Sequence, residues 1–169
     1  MLRDLGMLLA RATVGLAFAS HGAQKAFGTF DGPGPAGAAG IMESLGFKPG
    51  ARYAALSSYT ELAAGLLIAA GLGGPIGPAA LLSVMIVAQT TVHKKNGFFA
   101  QKGGVELGVI YSAAALAIAT SGFGRLSLDA LLGLDEPLEN DALASTILAG
   151  GALVGLLTLA QREKPALET

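Results

Sequence analysis

At 169 residues, 52% hydrophobic and only 14% charged, with a mean hydropathy of +0.58, the chain is too apolar for an ordinary soluble domain and reads as one integral membrane domain. A net charge of -1, with lysines scattered among loops, excludes nucleic-acid binding. The absence of cysteine excludes thiol exchange, iron–sulfur ligation and covalent c-type haem, and leaves the compartment unmarked.

The first apolar stretch, Leu5 to Phe27, is long enough to cross a bilayer yet carries Arg11, His21 and Lys25. Ionisable groups in hydrocarbon are costly unless paired, wetted or turned into a bundle, so three on one span predict partners on other helices. At about 100° per residue they fall within about 80° of each other and share one face. At about 1.5 Å per residue, Arg11 lies some 15 Å from His21 and roughly 21 Å from Lys25, so the polar ends occupy opposite leaflets. Arg3 before an apolar run and the small residues of Ala17-Phe18-Ala19 have the form of a cleaved signal. Arg11 in the middle of that run speaks against cleavage, and the segment is predicted to be a mature transmembrane helix.

Asp31 to Gly40 is dominated by glycine, proline and alanine and is predicted to be a surface loop. Ile41 to Phe47 follows as a short interfacial turn of helix. A second span runs from about Tyr53 to Leu72 with Glu61 as its one charge, and Gly71 to Pro78 then turns the chain into a third span ending near His93. Loop three, Lys94 to Gly104, carries three lysines and two headgroup-level aromatics, Phe98 and Phe99. The fourth span, Val105 to about Ser121, has Glu106 at its mouth. In Gly122 to Gly133, Ser127 is placed to cap a short helix whose first turn holds Asp129. An acidic linker at 135–142 leads to a fifth span at 143–160, with Gly151 and Gly155 at helix-contact spacing, and a polar tail at 161–169.

Five spans place loop one, loop three and the tail on one side, with Lys25, Lys48, Arg52, Lys94, Lys95, Lys102, Arg162 and Lys164. The other side has only Arg3 and Arg125. The positive-inside rule makes the richer side cytoplasmic, predicting a multi-pass cell-membrane protein with its N-terminus outside and C-terminus inside.

Connectivity alone puts His21, Lys25, Glu61, His93 and Glu106 in one leaflet, as candidates for ligand binding or proton handling. Arg11 faces the other leaflet, where Asp129 and Ser127 are expected within reach of its guanidinium. For Lys25 with Glu61 or Glu106 the plain alternative is a structural ion pair, and for Arg11, Ser127 and Asp129 a purely structural role. His21, His93, Glu61 and Glu106 have ligand types a metal accepts, but no Glu-x-x-His spacing supports a metal site. Bis-histidine haem b would use both histidines and nothing else marks it. A further reading is a pocket for a quinone or small redox molecule, with a histidine and a carboxylate passing protons.

The series Arg11, Gly15, Phe18, His21-Gly22, Lys25, Phe27-Gly28 resembles the opening of the DoxX family of small membrane proteins. Glu61, Gly65, Leu66-Leu67 and Gly71 follow, then Val92-His93, Gly103-Gly104, Glu106 and the stretch Gly122 to Asp129, so the resemblance runs from Leu5 to Leu134. It implies an all-α fold, a four-helix transmembrane bundle over 1–134, to which this chain adds the linker and a fifth transmembrane helix. It also implies a link to quinone and sulfur redox chemistry or to oxidative-stress complexes, with a soluble oxidoreductase or sulfurtransferase-like protein as partner. The same residues allow a non-enzymatic scaffold for soluble partners, or a solute or proton pathway through the bundle. The fifth helix is expected to dock a partner or a second copy through its Gly151 to Gly155 face.

Overall fold

The computed structural model describes residues 1–163, which form helices and turns with no strand. The predicted tail is therefore covered only to Glu163, and 164–169, with Lys164, lie outside the described residues. Helix α1 (Leu2–Phe27) ends at Gly28, whose φ of 72° is a conformation glycine adopts without steric cost. It packs against α3 (Gly50–Ala70) backbone on backbone. A Cβ added at Gly15 would lie 2.5 Å from Ala69 N and Gly65 O, and one at Gly22 2.5 Å from Leu62 N. In lipid, where apolar burial drives little, such small-residue contacts are what bring helices together.

Between them lies α2 (Gly34–Ser44), where the sequence predicts a loop over Asp31 to Gly40. The expectation fails because the glycines sit among alanines, with proline in the first turn where its missing N–H costs nothing. Packing supplies the rest: Ala38 is buried, and α2 lies against both α1 and α3. The glycine and proline turn after α3 is as predicted, leading into α4 (Ile76–Ala88), which continues through a π-helical turn at Gln89–His93 and a 3-10 turn at Lys94–Asn96. Helix α5 (Glu106–Ser121) follows loop three, then one-turn helices α6 (Leu128–Leu131) and α7 (Asp135–Leu138), and finally α8 (Asp141–Ala160).

Helix α4 is the centre of the bundle, packed by α3, α5 and α8. The core is Phe18, Ala64, Ile68, Leu81, Ala115, Ile118 and Phe123. Leu16, Leu66, Ile110, Leu153 and Leu156 are exposed on outer helix faces, as lipid requires. Helix α3, the continuous segment Ile76–Asn96 and α8 are long and apolar enough to cross a bilayer. Helix α5 is apolar but 16 residues long, and α1 has the length, 26 residues, but carries Arg11, His21 and Lys25. The architecture is an all-α membrane bundle with a fifth helix appended.

That fifth helix corrects one expectation. The Gly151 to Gly155 face is covered by α4 of the same chain: a Cβ at Gly151 would be 2.8 Å from Ala79 C, and one at Gly155 2.8 Å from Ser83 O. Two small residues at this spacing mark a close helix contact, but not with whom.

The two ends of the bundle are tied differently. At the end with the α1 N-terminus, Asp4 accepts from the Arg125 N–H at 3.2 Å, and the Asp129 N–H donates to Gly71 O at 2.9 Å. At the other end, the Glu163 N–H donates to Gly46 O at 2.8 Å and the Arg162 side chain donates to Leu45 O. Loop one and the C-terminal end of α8 are thus on one side, as the span count predicts.

Candidate ligand site

Arg11 and Asp129 clamp the α3–α4 turn from its two sides. The Arg11 guanidinium, buried, donates to Ala69 O at the end of α3 and to Leu126 O. The Asp129 carboxylate, also buried, accepts from the N–H groups of Gly73 at 2.9 Å and Gly74 at 2.8 Å, where α4 is about to begin. Arg11 therefore does not pair with Asp129 or Ser127 as expected. Each instead satisfies backbone groups at or beside the α3–α4 turn, Arg11 the Ala69 and Leu126 carbonyls and Asp129 the Gly73 and Gly74 N–H groups. Ser127 does cap α6, its Oγ accepting from the Ala130 N–H at 3.2 Å.

In the opposite half, Lys25 forms an ion pair with Glu61, and Ser57, one turn earlier on α3, donates to Glu61 Oε1 at 3.0 Å. The Glu61 side chain is 4% exposed and Lys25 25%, so the lysine reaches outward while its charge stays on the carboxylate. Among the described residues Glu61 Oε2 is buried without a partner.

A cavity of about 420 Å³ opens on this wall. Lys25, Glu61 and His93 all line it. The remaining walls are mostly apolar: Ile41, Met42 and Phe47 from α2 and the turn after it, Val84 and Val87 from α4, Val154 from α8. This volume and composition match a small-molecule site, an apolar enclosure with a few convergent polar groups. His93, the last residue of the π turn at Gln89–His93, is one of the lining residues. Its Nδ1 lies 2.7 Å from Gly103 O. A carbonyl only accepts, so Nδ1 donates in this contact, and Nε2 has no hydrogen-bond partner among the described residues.

His21 and Glu106 do not join this group. Successive helix positions face about 100° apart, so with Gly22 pressed on α3, His21 is exposed and meets Tyr111 of α5 edge-on at 6.4 Å. Glu106 accepts from the Ala100 N–H at 2.8 Å and braces loop three. Among the described residues no three histidine, aspartate or glutamate side chains gather to hold a metal, so His21, His93, Glu61 and Glu106 do not fit one. His21 is not among the residues that line the cavity beside His93.

The sequence reading missed Ser57, Tyr53 and the contribution of α2 and α8 to the walls. Ser57 was findable, four residues before Glu61 on one helix face. Tyr53 donates to Gln161 Oε1 at 2.7 Å, a contact across 108 residues with no local signal. Nearby at the surface, a 2.9 Å bond to the Glu163 carboxylate and its charge raise the Lys48 ammonium above its ordinary pKa.

A DoxX family model matches residues 6–94, just over half of the chain, ending one residue after His93. The matched stretch holds Arg11, His21, Lys25, Glu61 and His93, while Glu106, the clamp residue Asp129 and α5 to α8 lie beyond it. No curated protein and no solved structure matches the chain. With the all-helical bundle, its lipid-facing apolar surface and this match together, the chain belongs to the DoxX family of membrane proteins.

Proposed function

We propose that the protein is the membrane subunit of a redox system, handling quinone and sulfur compounds or oxidative stress, and that a quinone or similar small redox molecule binds in the cavity walled by Lys25, Glu61 and His93. The observation that carries the reading is this cavity: an apolar enclosure of about 420 Å³ with an ion pair and a histidine nitrogen on its wall. The polar groups lie on the loop-one side and the apolar walls run between α4 and α8. An amphiphile therefore enters with its head near the interface and its body toward the bilayer centre. There, His93 Nε2 is placed to accept a proton and the Lys25–Glu61 pair to hold the head. Any soluble oxidoreductase or sulfurtransferase-like partner docks on the lysine-rich side, which is cytoplasmic by the positive-inside rule, with the N-terminus outside.

The test is ligand-induced stabilisation. A short-chain quinone or its reduced form is expected to raise the melting temperature of the purified wild-type protein and to do so much less for Glu61→Gln and His93→Phe. A non-enzymatic scaffold, with the ion pair serving stability alone, is the reading that survives if neither form stabilises the wild type.

A further inference from the structure

The hydroxyl groups around the cavity have a common habit: they spend their protons on the protein. Tyr53 donates to Gln161 Oε1 at 2.7 Å and Ser57 to Glu61 Oε1 at 3.0 Å. Ser83 donates to Ala80 O at 2.7 Å, Thr91 to Val87 O at 2.9 Å and Thr158 to Val154 O at 2.8 Å. All five residues line the cavity. The last three are the backbone bonds that serine and threonine make inside apolar helices, where no water competes. Of the lining hydroxyls, Thr60 alone makes no such bond among the described residues. What the other five present to a ligand is oxygen lone pairs.

The ionisable groups follow the same rule. Lys25, the strong donor, commits one ammonium N–H to Glu61 Oε1 and has a second 3.4 Å from Ser57 Oγ, so two of its three donors are taken up by the protein. His93 spends its Nδ1 proton on Gly103 O, leaving an Nε2 lone pair. The carboxylate of Glu61 is balanced by Lys25, so the wall is rich in acceptors without being an anionic trap. Acceptors left unmatched in an apolar enclosure favour a ligand that brings donors and disfavour one that brings only more lone pairs.

We infer that the cavity selects neutral amphiphiles whose polar end donates a hydrogen bond, phenols and alcohols, over isosteric ethers and carbonyls, with His93 Nε2 as the receiving atom. This rests on the cavity being a ligand site, as proposed above. For a redox pair it means that the dihydroxy, reduced form binds more tightly than the dicarbonyl form.

The test is equilibrium dialysis of the full chain in detergent against 4-hexylphenol and 4-hexylanisole, a matched donor and non-donor, with protein-free micelles dialysed in parallel to subtract partitioning. The phenol is expected to bind saturably at one site and about tenfold more tightly than the ether, a difference of one good hydrogen bond. His93→Phe is expected to narrow that ratio by bringing the phenol down to the ether, and Val84→Trp, which fills the cavity, to abolish saturable binding of both. Equal or tighter binding of the ether by the wild type overturns the donor preference and leaves the site standing. No saturable binding of either compound overturns both. Loss of the preference through stronger ether binding in His93→Phe, with phenol binding unchanged, overturns the role of Nε2.

Discussion

Three glycines of α1 make a test of the bundle's construction in which the same substitution has opposite signs. A methyl added at Gly6 has nothing within 4 Å, so Gly6→Ala adds helix propensity without a clash and is expected to stabilise by up to about 1 kcal/mol. At Gly15 the methyl would sit 2.5 Å from Ala69 N and Gly65 O, and at Gly22 2.5 Å from Leu62 N and 2.6 Å from Ser58 O. Those are backbone atoms of α3 and cannot swing aside, so α1 must move out by roughly an ångström to reach ordinary contact. Overpacking of this kind costs about 1–3 kcal/mol, more than the propensity gain, and the close packing along the helix pair is lost with it. Thermal unfolding in one detergent is expected to rank Gly6→Ala at or above wild type and Gly15→Ala and Gly22→Ala several degrees below it. Gly150→Ala and Gly151→Ala repeat the contrast on α8, since Gly150 has open space and Gly151 faces Ala79. Shifts of the same sign at Gly6 and Gly15 would refute the backbone-on-backbone contact.

Asp129→Ala strands the N–H groups of Gly73 and Gly74 and is expected to cost about 2–4 kcal/mol, with Asp129→Asn, which keeps one acceptor oxygen, roughly half as damaging in the same unfolding assay. Glu61→Gln leaves Lys25 without its counter-charge and is expected to cost about 3 kcal/mol, the low end for a broken buried pair because the lysine is a quarter exposed; the double variant Lys25→Met, Glu61→Leu recovers most of that stability, and a cycle with no coupling refutes the pair. Lys48 has its pKa raised in the folded protein, so its contribution is complete below the unfolded value and lost only as pH rises through the folded one; between pH 6 and 9 Lys48→Ala is expected to show a pH-independent, small effect on melting. Because the chain has no cysteine, single cysteines report sidedness directly: Asp31→Cys is expected to be shielded from an impermeant thiol reagent in intact cells and Leu132→Cys to be labelled.

The bundle was legible in the sequence because hydrophobic runs, glycine and proline turns, and buried charges are local signals. The layer containing Lys25, Glu61 and His93 was legible too, since connectivity fixes which helix ends share a side. Azimuth was not. One residue of helix turns a side chain by about 100°, so His21 and Gly22, adjacent in sequence, divide between the outer surface and the α3 interface. Arg11 was recognisable as a charge in need of a partner and Asp129 as an acid in the first turn of a short helix, but their partners are backbone groups at or beside a turn, which composition cannot name. The helix α2 escaped detection because its glycines and first-turn proline read locally as a loop, and packing against α1 and α3 is needed to complete the helix. The Gly151 and Gly155 pair shows the same limit, since spacing announces a close contact and only the fold says that α4 fills it.

The cavity beside Lys25, Glu61 and His93 is proposed to hold a small molecule in the membrane. Organic extraction of the purified protein followed by mass spectrometry, with wild type and the cavity-filling Val84→Trp compared at equal protein, measures this directly. Near-stoichiometric recovery of one redox-active amphiphile from wild type, and its loss from Val84→Trp, is the predicted result. Equal recoveries from the two proteins, or none from either, would contradict it.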